Sequence, residues 1–230
     1  MTIIYHKEMV QGSEEWAAAR CGLLTASEMH LIVTPTLKAA SNDKERGHLY
    51  ELLAQRITRY VEPSYVSDSM LRGMDDEVEA LEVYAKHYAK IERVGFVTND
   101  KWGFTIGYSP DCLVGKDGQV ECKSRNQKYQ IRTLVEYVPA DLIDPDFVIQ
   151  VQTGLMVSER DWCDQTSYCG GLPMATVRVF PDEKVQAAIL AAAQGFEARL
   201  RIAKDKFEAV LASKARLIST ERKIREEMYV

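Results

Sequence analysis

The residues most able to do chemistry lie within positions 107–125, GYSPDCLVGKDGQVECKSR. Asp111 precedes one short apolar segment, and Glu121 and Lys123 stand on the next, beyond the turn sequence GKDG. Residues two apart in a strand point to the same face, so Glu121 and Lys123 share a face and Cys122 points away. A hairpin centred on GKDG would bring Asp111 towards Glu121.

Two carboxylates held together in a sheet repel each other unless positive charge lies between them. A hard cation such as Mg²⁺ suits this place, because it prefers oxygen ligands and keeps several waters, so that one or two carboxylates suffice. The carbonyl of Cys122 would add an oxygen, and Lys123 would hold a water or stabilise charge on a phosphate. A Glu-x-Lys pair alone is more often solvated charge; the preceding Pro110-Asp111 favours a site for phosphodiester hydrolysis.

This arrangement resembles the PD-(D/E)xK nuclease motif, as Pro110-Asp111 and Glu121-Cys122-Lys123. Three further segments resemble the phage lambda exonuclease family, the YqaJ-like viral recombinases. They are Arg20-Cys21-Gly22-Leu23-Leu24-Thr25-Ala26-Ser27, Arg72-Gly73-Met74-Asp75-Asp76-Glu77 and Gln150-Val151-Gln152. Their order and approximate spacing match from Trp16 to Met156.

The resemblance implies a magnesium site with Asp111, Glu121 and the Cys122 carbonyl as ligands and Lys123 as the catalytic lysine. A two-metal site is expected, with Mn²⁺ as an alternative ion.

The resemblance also assigns a helical glutamate and a glutamine. Glu77 would be a ligand or water-binder at the second metal position, with Glu79 the less favoured choice. Gln152 is favoured beside the scissile phosphate or the attacking water, and Gln150 is the alternative.

The family's R-x-G-x-x-T-A-S segment binds the terminal 5′-phosphate, a role that would fall to Arg20 and Ser27. A guanidinium pairs bidentately with phosphate, and a hydroxyl near a helix N-terminus adds a donor. Trp16 would share the helical face of Arg20 and either pack in the core or stack on a DNA end. The cations of residues 123–132 give either a solvated helix face or a basic strip along the DNA backbone.

The activity implied is a metal-dependent 5′→3′ exonuclease on double-stranded DNA that releases 5′-mononucleotides and leaves a 3′ single-stranded overhang. Family members form homotrimeric rings around DNA and work with a single-strand annealing protein in phage recombination. Two alternatives stay open: a structure- or sequence-specific PD-(D/E)xK endonuclease, and a catalytically inactive DNA-binding subunit. An iron–sulfur cluster, which the broader superfamily holds with one early and three late cysteines, is not expected, because only Cys163 and Cys169 are late.

Periodicity outlines the elements that must position these residues. Their order predicts an α/β or α+β fold with a central mixed sheet flanked by helices, and the resemblance implies a restriction-endonuclease-like core. A single nuclease domain is expected over residues 1–230, with a motif-bearing core at 16–156 and strands and helices at 157–230. Helices are predicted at 13–20, 25–33, 46–61, 69–88, 127–137, 146–157 and 182–229, the last with a break near Ser213. The core candidates of the helix at 69–88 are Met70, Val78, Leu81 and Tyr84. Strands are predicted at 94–98, 103–109, 112–114, 119–123, 162–168 and 175–180, and a polar loop at 36–46.

Composition and charge limit the classes of protein to which this chain can belong. The 230 residues carry a net charge of −5, which argues against binding DNA by bulk positive charge. Hydrophobic residues at 46% and charged residues at 27% are ordinary for a globular chain and exclude a disordered or collagen-like one. Five cysteines without CxxC pairs and no signal-peptide pattern predict the cytoplasm, and the resemblance implies a phage or prophage protein. No apolar run is long enough to cross a membrane.

Overall fold

The computed structural model describes residues 2–63 and 67–222. Side-chain caps begin most of its α-helices: Ser13, Asn42, Ser67, Asp144 and Asp182 each accept a hydrogen bond from a backbone N–H of the first turn. The α-helices in these residues are α1 (Glu14–Arg20), α2 (Asp43–Thr58), α3 (Asp68–His87), α4 (Gln127–Arg132), α5 (Pro145–Ser158) and α6 (Glu183–Leu211).

The strands form two mixed sheets. One has the order β1-β4-β5-β2, and the other has the order β3-β6-β7-β8-β9. Within each sheet one neighbouring pair is parallel, β2 with β5 and β7 with β8, and the other pairs are antiparallel. The strands are β1 (Ile3–His6), β2 (Leu24–Thr25), β3 (Ile91–Glu92), β4 (Phe96–Asn99), β5 (Ile106–Tyr108), β6 (Cys112–Val114), β7 (Gly118–Ser124), β8 (Trp162–Tyr168) and β9 (Ala175–Val179).

Strand β7 carries the Glu-x-Lys sequence and lies in the middle of the second sheet, between β6 and β8. Helix α3 packs on β7 and β8 through Leu81 and Tyr84, which join Cys112, Val114 and Val120 in one buried cluster. Two helices therefore pack on this sheet: α3 through this cluster, and α5 through contacts with β8.

Helix α5 contacts strands of both sheets. Gly154 allows this close packing, since a Cβ there would lie 2.7 Å from Cζ of Tyr108 on β5. Tyr108 is 1% exposed and belongs to the largest hydrophobic cluster, which also contains Phe196 of α6. The close approach fixes where the Tyr108 hydroxyl lies, which becomes important at the site.

The predicted α/β class with mixed strands and flanking helices is confirmed, with two sheets in place of one central sheet. The helix predicted at 25–33 is wrong, because Leu24–Thr25 pairs in parallel with Ile106–Gly107 and only Met29–Leu31 forms a 3₁₀ turn. The loop predicted at 36–46 is shortened by α2, which starts at Asp43 under its Asn42 cap.

Two further differences concern helix faces and ends. Met70 and Val78 were predicted in the core but are about half exposed, because α3 packs mainly through Leu81 and Tyr84 in its second half. Helix α6 ends at Leu211, and residues 213–222 are not helical. The part of that prediction at 223–229 lies outside the described residues. No helix of the described residues is both long and apolar enough to cross a membrane.

Candidate active site

The hairpin of β6 and β7 brings the Asp111 carboxylate against β7. Cys112 pairs with Val120 in the antiparallel register, so Asp111 lies just beyond the paired end of β6. There its Oδ2 accepts a hydrogen bond from the backbone N–H of Cys122 at 2.5 Å. The predicted approach of Asp111 to the Glu121 strand is therefore present in the structure.

Glu121 and Lys123 face the same side of β7, as the alternation predicts. Lys123 Nζ lies 2.9 Å from Oε1 of Glu121. The other oxygen of Glu121, Oε2, accepts a hydrogen bond from the Tyr108 hydroxyl at 2.9 Å. Glu121 is 2% exposed, so a nearly buried carboxylate is held by a phenol from the other sheet and an ammonium from its own strand.

The two glutamines of the Gln150-Val151-Gln152 segment have different neighbours. Gln150 accepts a hydrogen bond from Lys123 Nζ at 2.9 Å and donates one to Oε1 of Glu121. Gln152, the residue favoured from the sequence, instead donates to the Phe180 carbonyl at 2.8 Å and accepts from the Asp182 N–H at 2.9 Å. The glutamine that contacts the Glu-x-Lys pair is thus Gln150, and Gln152 ties α5 to the start of α6.

Glu77 of α3 faces the same site. Its Oε1 accepts a hydrogen bond from Arg93 at 3.2 Å, and Arg93 also approaches the backbone carbonyl of Asp111 at 3.5 Å. Glu79 points elsewhere, because its Oε2 accepts from the Tyr168 hydroxyl at 2.6 Å on the exposed edge. Of the two helical glutamates, only Glu77 is next to the motif aspartate.

Burial and mutual repulsion shape the protonation of this cluster. Burial raises the pKa of Asp111 well above its usual value, and the nearby Glu121 and Glu77 carboxylates raise it further. Burial also raises the pKa of Glu77, against the lowering effect of Arg93. Burial alone would lower the pKa of Lys123, but Glu121 and Asp111 outweigh it and the pKa is raised. The cluster holds more negative than positive charge, which favours the binding of an added cation.

A second group of side chains surrounds Arg20 at the end of α1. Its guanidinium stacks on the Trp16 ring at 4.4 Å and donates long hydrogen bonds, 3.3–3.5 Å, to the hydroxyls of Thr25, Ser27 and Ser109. Trp16 Nε1 donates to Ser109 Oγ at 2.9 Å. The predicted Arg20 and Ser27 are therefore adjacent, and an oxyanion would offer Arg20 stronger acceptors than these neutral hydroxyls.

The segment from Tyr108 to Asp111 connects the two groups. Tyr108 donates to Glu121, its neighbour Ser109 accepts from Arg20 and Trp16, and Asp111 bonds to β7. The Cα atoms of Ser109 and Asp111 can be at most about 7 Å apart, two residues along the chain. The carboxylate cluster and the Arg20 pocket therefore lie next to each other.

A family comparison matches residues 15–161 to the YqaJ-like viral recombinase domain. The chain belongs to the YqaJ-like viral recombinase family. The matched range encloses the motif-bearing core expected from the sequence and both groups of side chains described above. Among curated proteins, no sequence matches this YqaJ-like recombinase.

Solved structures agree with the family. An alkaline exonuclease from Laribacter hongkongensis, LHK-Exo, is 28% identical with a TM-score of 0.75, over 87% of this chain and 98% of that chain. The structure of LHK-Exo in complex with dAMP gives 30% identity, a TM-score of 0.75 and the same coverage. A phage related exonuclease from Haemophilus somnus 129PT, at 12% identity and a TM-score of 0.50 over 82% of this chain and 96% of that chain, shares the fold alone. A nuclease role for this YqaJ-like recombinase is supported.

The donor set of this YqaJ-like recombinase fits a hard divalent cation. In the residues described, no group of three or more His, Cys, Asp and Glu side chains is arranged to hold a metal ion by itself. Asp111 and Glu121 with the Cys122 carbonyl and water would suffice for Mg²⁺, which usually keeps several waters. A residue's N–H and C=O share one side of a strand, so the Cys122 carbonyl faces Asp111, beyond the paired end of β6. The Cys122 thiol is buried, and that burial raises its pKa to about 12.

Sequence reasoning missed residues that lie in the site through long-range packing. Tyr108 and Arg93 contact the carboxylates, and Thr25 and Ser109 join the Arg20 pocket. The available sequence signal for Tyr108 and Ser109 was their position directly before Pro110-Asp111. Arg125 was expected either on a solvated face or in a basic strip, but its side chain is only 12% exposed and pairs with Asp144.

Proposed function

We propose that this chain is a divalent-metal-dependent exodeoxyribonuclease that degrades linear double-stranded DNA from its 5′ ends. It would release 5′-mononucleotides and leave a 3′ single-stranded overhang. The observation that carries the proposal is the short Tyr108–Asp111 segment, which joins a candidate phosphate pocket at Arg20 to the carboxylates at β7. A terminal phosphate bound at Arg20 would leave the adjacent phosphodiester beside Asp111 and Glu121.

Each residue has a role that its contacts support. Asp111, Glu121, the Cys122 carbonyl and Glu77 would hold Mg²⁺, with two ions in the full site and Mn²⁺ as an alternative. When bound, the metal would supply positive charge to phosphate oxygens and make a nearby water easier to deprotonate. These roles rest on the oxygen-only donor set.

Lys123 and Gln150 would act on the water and the phosphate. Lys123 is held by Glu121 and Gln150, and its raised pKa keeps it a cation that can stabilise charge developing on the phosphate. The Gln150 amide, bonded to both, would orient the attacking water or the phosphate. Gln152 is not proposed for this role, since its hydrogen bonds go to the start of α6.

The Arg20 pocket would recognise the 5′-phosphate. Arg20 would pair with the phosphate, and Ser27 together with Thr25 and Ser109 would add hydroxyl donors. The Trp16 ring, which stacks under Arg20, would orient the guanidinium. The dAMP complex of the related LHK-Exo supports a mononucleotide as the product class.

Family membership is the basis for the remaining parts. We propose a homotrimeric ring around the DNA, a single-strand annealing protein as partner in phage-type recombination, a cytoplasmic location, and one nuclease domain over residues 1–230.

The experiment compares linear duplex that carries 5′-phosphate or 5′-hydroxyl with covalently closed circular DNA, in Mg²⁺ and in excess chelator. We expect phosphorylated linear duplex to be degraded fastest, the circle to stay intact, and the chelator to stop the reaction until Mg²⁺ or Mn²⁺ is restored. Arg20→Ala should reduce the preference for 5′-phosphate, and Arg201→Ala, an exposed arginine of α6, should not. Efficient cutting of the circle would point to an endonuclease instead.

A further inference from the structure

Strand β7 and helix α5 meet in a row of paired side chains that extends beyond the motif. Glu121 and Lys123 share one face of β7. Arg125 lies one residue beyond the end of β7 and continues their alternation, since its N–H still pairs with the Tyr168 carbonyl of β8 at 2.7 Å. On α5, Phe147 and Gln150 are three residues apart and share a helix face. The strand face and the helix face therefore oppose each other over about one turn of α5.

Phe147 lies between the two cations of this row. Lys123 Nζ is 5.3 Å from the centre of the Phe147 ring, and Arg125 Cζ is 4.9 Å from it. A cation within about 6 Å of a ring centre is attracted by the ring's quadrupole, and the attraction grows when the pair is desolvated. Phe147 thus contacts the same lysine that Gln150 binds. Gln150 lies about one helical turn after Phe147 on α5.

Arg125 and Asp144 fasten the N-terminal end of α5 to β7. Arg125 donates to Oδ2 of Asp144 at 2.6 Å, and the two side chains are only 12% and 6% exposed. Oδ1 of the same carboxylate accepts the Asp146 N–H at 3.1 Å and caps α5. One carboxylate therefore joins the helix that carries Phe147 and Gln150 to the strand that carries Lys123.

We propose that Phe147 and the Arg125–Asp144 ion pair position Lys123 and Gln150 for catalysis. This inference rests on the proposed nuclease function. Phe147 confines the ammonium of Lys123 next to its carboxylate partner, and the ion pair fixes the distance between α5 and β7. Without them, Lys123 and Gln150 would still be present but less well aligned, and misplacement by about 1 Å can cost about 100-fold in rate.

The test separates positioning from folding by matched substitutions. Phe147→Leu removes the ring and keeps an apolar side chain, whereas Phe147→Tyr keeps the ring. Asp144→Asn keeps a good N-cap acceptor but loses the charge that pairs with Arg125. Two controls change the same chemistry elsewhere: Phe180→Leu at an exposed ring, and Glu197→Gln in the Arg56–Glu197 pair between α2 and α6.

kcat, KM for linear duplex and Tm are measured for each purified full-length variant. We expect Phe147→Leu and Asp144→Asn to lower kcat about tenfold or more, with KM within about twofold. Phe147→Tyr should restore kcat to within about threefold of the wild type. Glu197→Gln should lower Tm without lowering kcat, and Phe180→Leu should leave kcat unchanged.

Two results would overturn the proposal: kcat of Phe147→Leu and Asp144→Asn within about twofold of wild type, or a loss in Phe147→Leu that Phe147→Tyr does not restore. In both cases, a wild-type protein that degrades DNA would still support the nuclease function. A wild-type protein that releases no nucleotide under any metal condition would contradict the nuclease function, and the positioning role with it.

Discussion

At the scale of single residues, burial and neighbouring charges together set the protonation of the site's side chains. Asp111 and Glu121 are buried, and burial together with the Glu121 carboxylate raises the pKa of Asp111. Burial lowers the pKa of Lys123, but the same carboxylates raise it by more. Its pKa is therefore raised, and the side chain remains an ammonium. A group in that state donates hydrogen bonds and stabilises negative charge.

The role of Lys123 can be tested by removing its ammonium. Lys123→Ala should lower kcat by about 1,000-fold, because charge stabilisation in a water-poor site is worth a large part of the rate. Binding of duplex in Ca²⁺, measured by fluorescence anisotropy, should stay within about threefold of wild type. Lys44→Ala, at an exposed lysine of α2 outside the site, is the control and should keep full activity. Degradation at the wild-type rate by the Lys123 variant would remove it from the catalytic group.

Tyr108 gives a second test at this scale. Burial and the Glu121 carboxylate raise the pKa of Tyr108 well above its usual value, so its hydroxyl stays a donor to Glu121 at all working pH values. Tyr108→Phe should raise the Mg²⁺ concentration for half-maximal activity about tenfold, since partners that orient metal ligands are worth about 10- to 100-fold in affinity.

Tyr137→Phe is the matched control for Tyr108→Phe. The Tyr137 hydroxyl is buried and has no hydrogen-bond partner in the described residues, and it does not touch the carboxylates. Its loss should leave the Mg²⁺ titration unchanged. If Tyr108→Phe gives the same titration curve as this control, Glu121 is not held for metal binding by Tyr108.

At the scale of elements, local periodicity was enough for helices α3, α5 and α6 and for the β6–β7 hairpin, since their patterns lie within the element itself. It failed at Leu24–Thr25, where the helix predicted at 25–33 should begin, although the Thr25 hydroxyl does donate to the Glu28 carboxylate at 2.7 Å. The segment is a strand because it pairs in parallel with Ile106–Gly107, a partner far along the chain. Such pairing overrides a local helix signal and leaves no mark in the local sequence.

The choice between the two glutamines shows the same limit. Successive helical residues are about 100° apart, so Gln150 and Gln152 must face nearly opposite sides of α5. The sequence predicted that one of them would face the site. Which one depends on how α5 is rotated against β7, and that rotation is set by packing against both sheets and α6.

Substituting each glutamine separates their roles. Gln150→Ala should lower kcat about 10- to 100-fold with little change in Tm, because it loses contacts to Lys123 and Glu121 at the proposed reaction centre. Gln152→Ala should keep kcat but lower Tm by a few degrees, since it removes two part-buried hydrogen bonds that join α5 to the start of α6, each worth about 1 kcal/mol. The opposite pattern of kcat and Tm would contradict this assignment.

At the scale of the whole molecule, a net charge of −5 appeared to disfavour a nucleic-acid partner. The structure gathers acids of three different elements, Asp111, Glu121 and Glu77, around one place, and a bound metal would offset their charge locally. Net charge therefore limits binding by bulk attraction and says little about a local phosphate pocket such as that at Arg20. The division of strands into two sheets was beyond prediction from one sequence, because strand order is decided by long-range pairing.

The central claim, digestion from 5′ ends to mononucleotides, is tested most directly by a time course on linear duplex with different labels on the 5′ and 3′ ends of each strand, in Mg²⁺. We predict that the 5′ label appears first, as a mononucleotide, while the 3′ label stays on long single strands. Early release of the 3′ label, or internal fragments from both strands, would contradict the account.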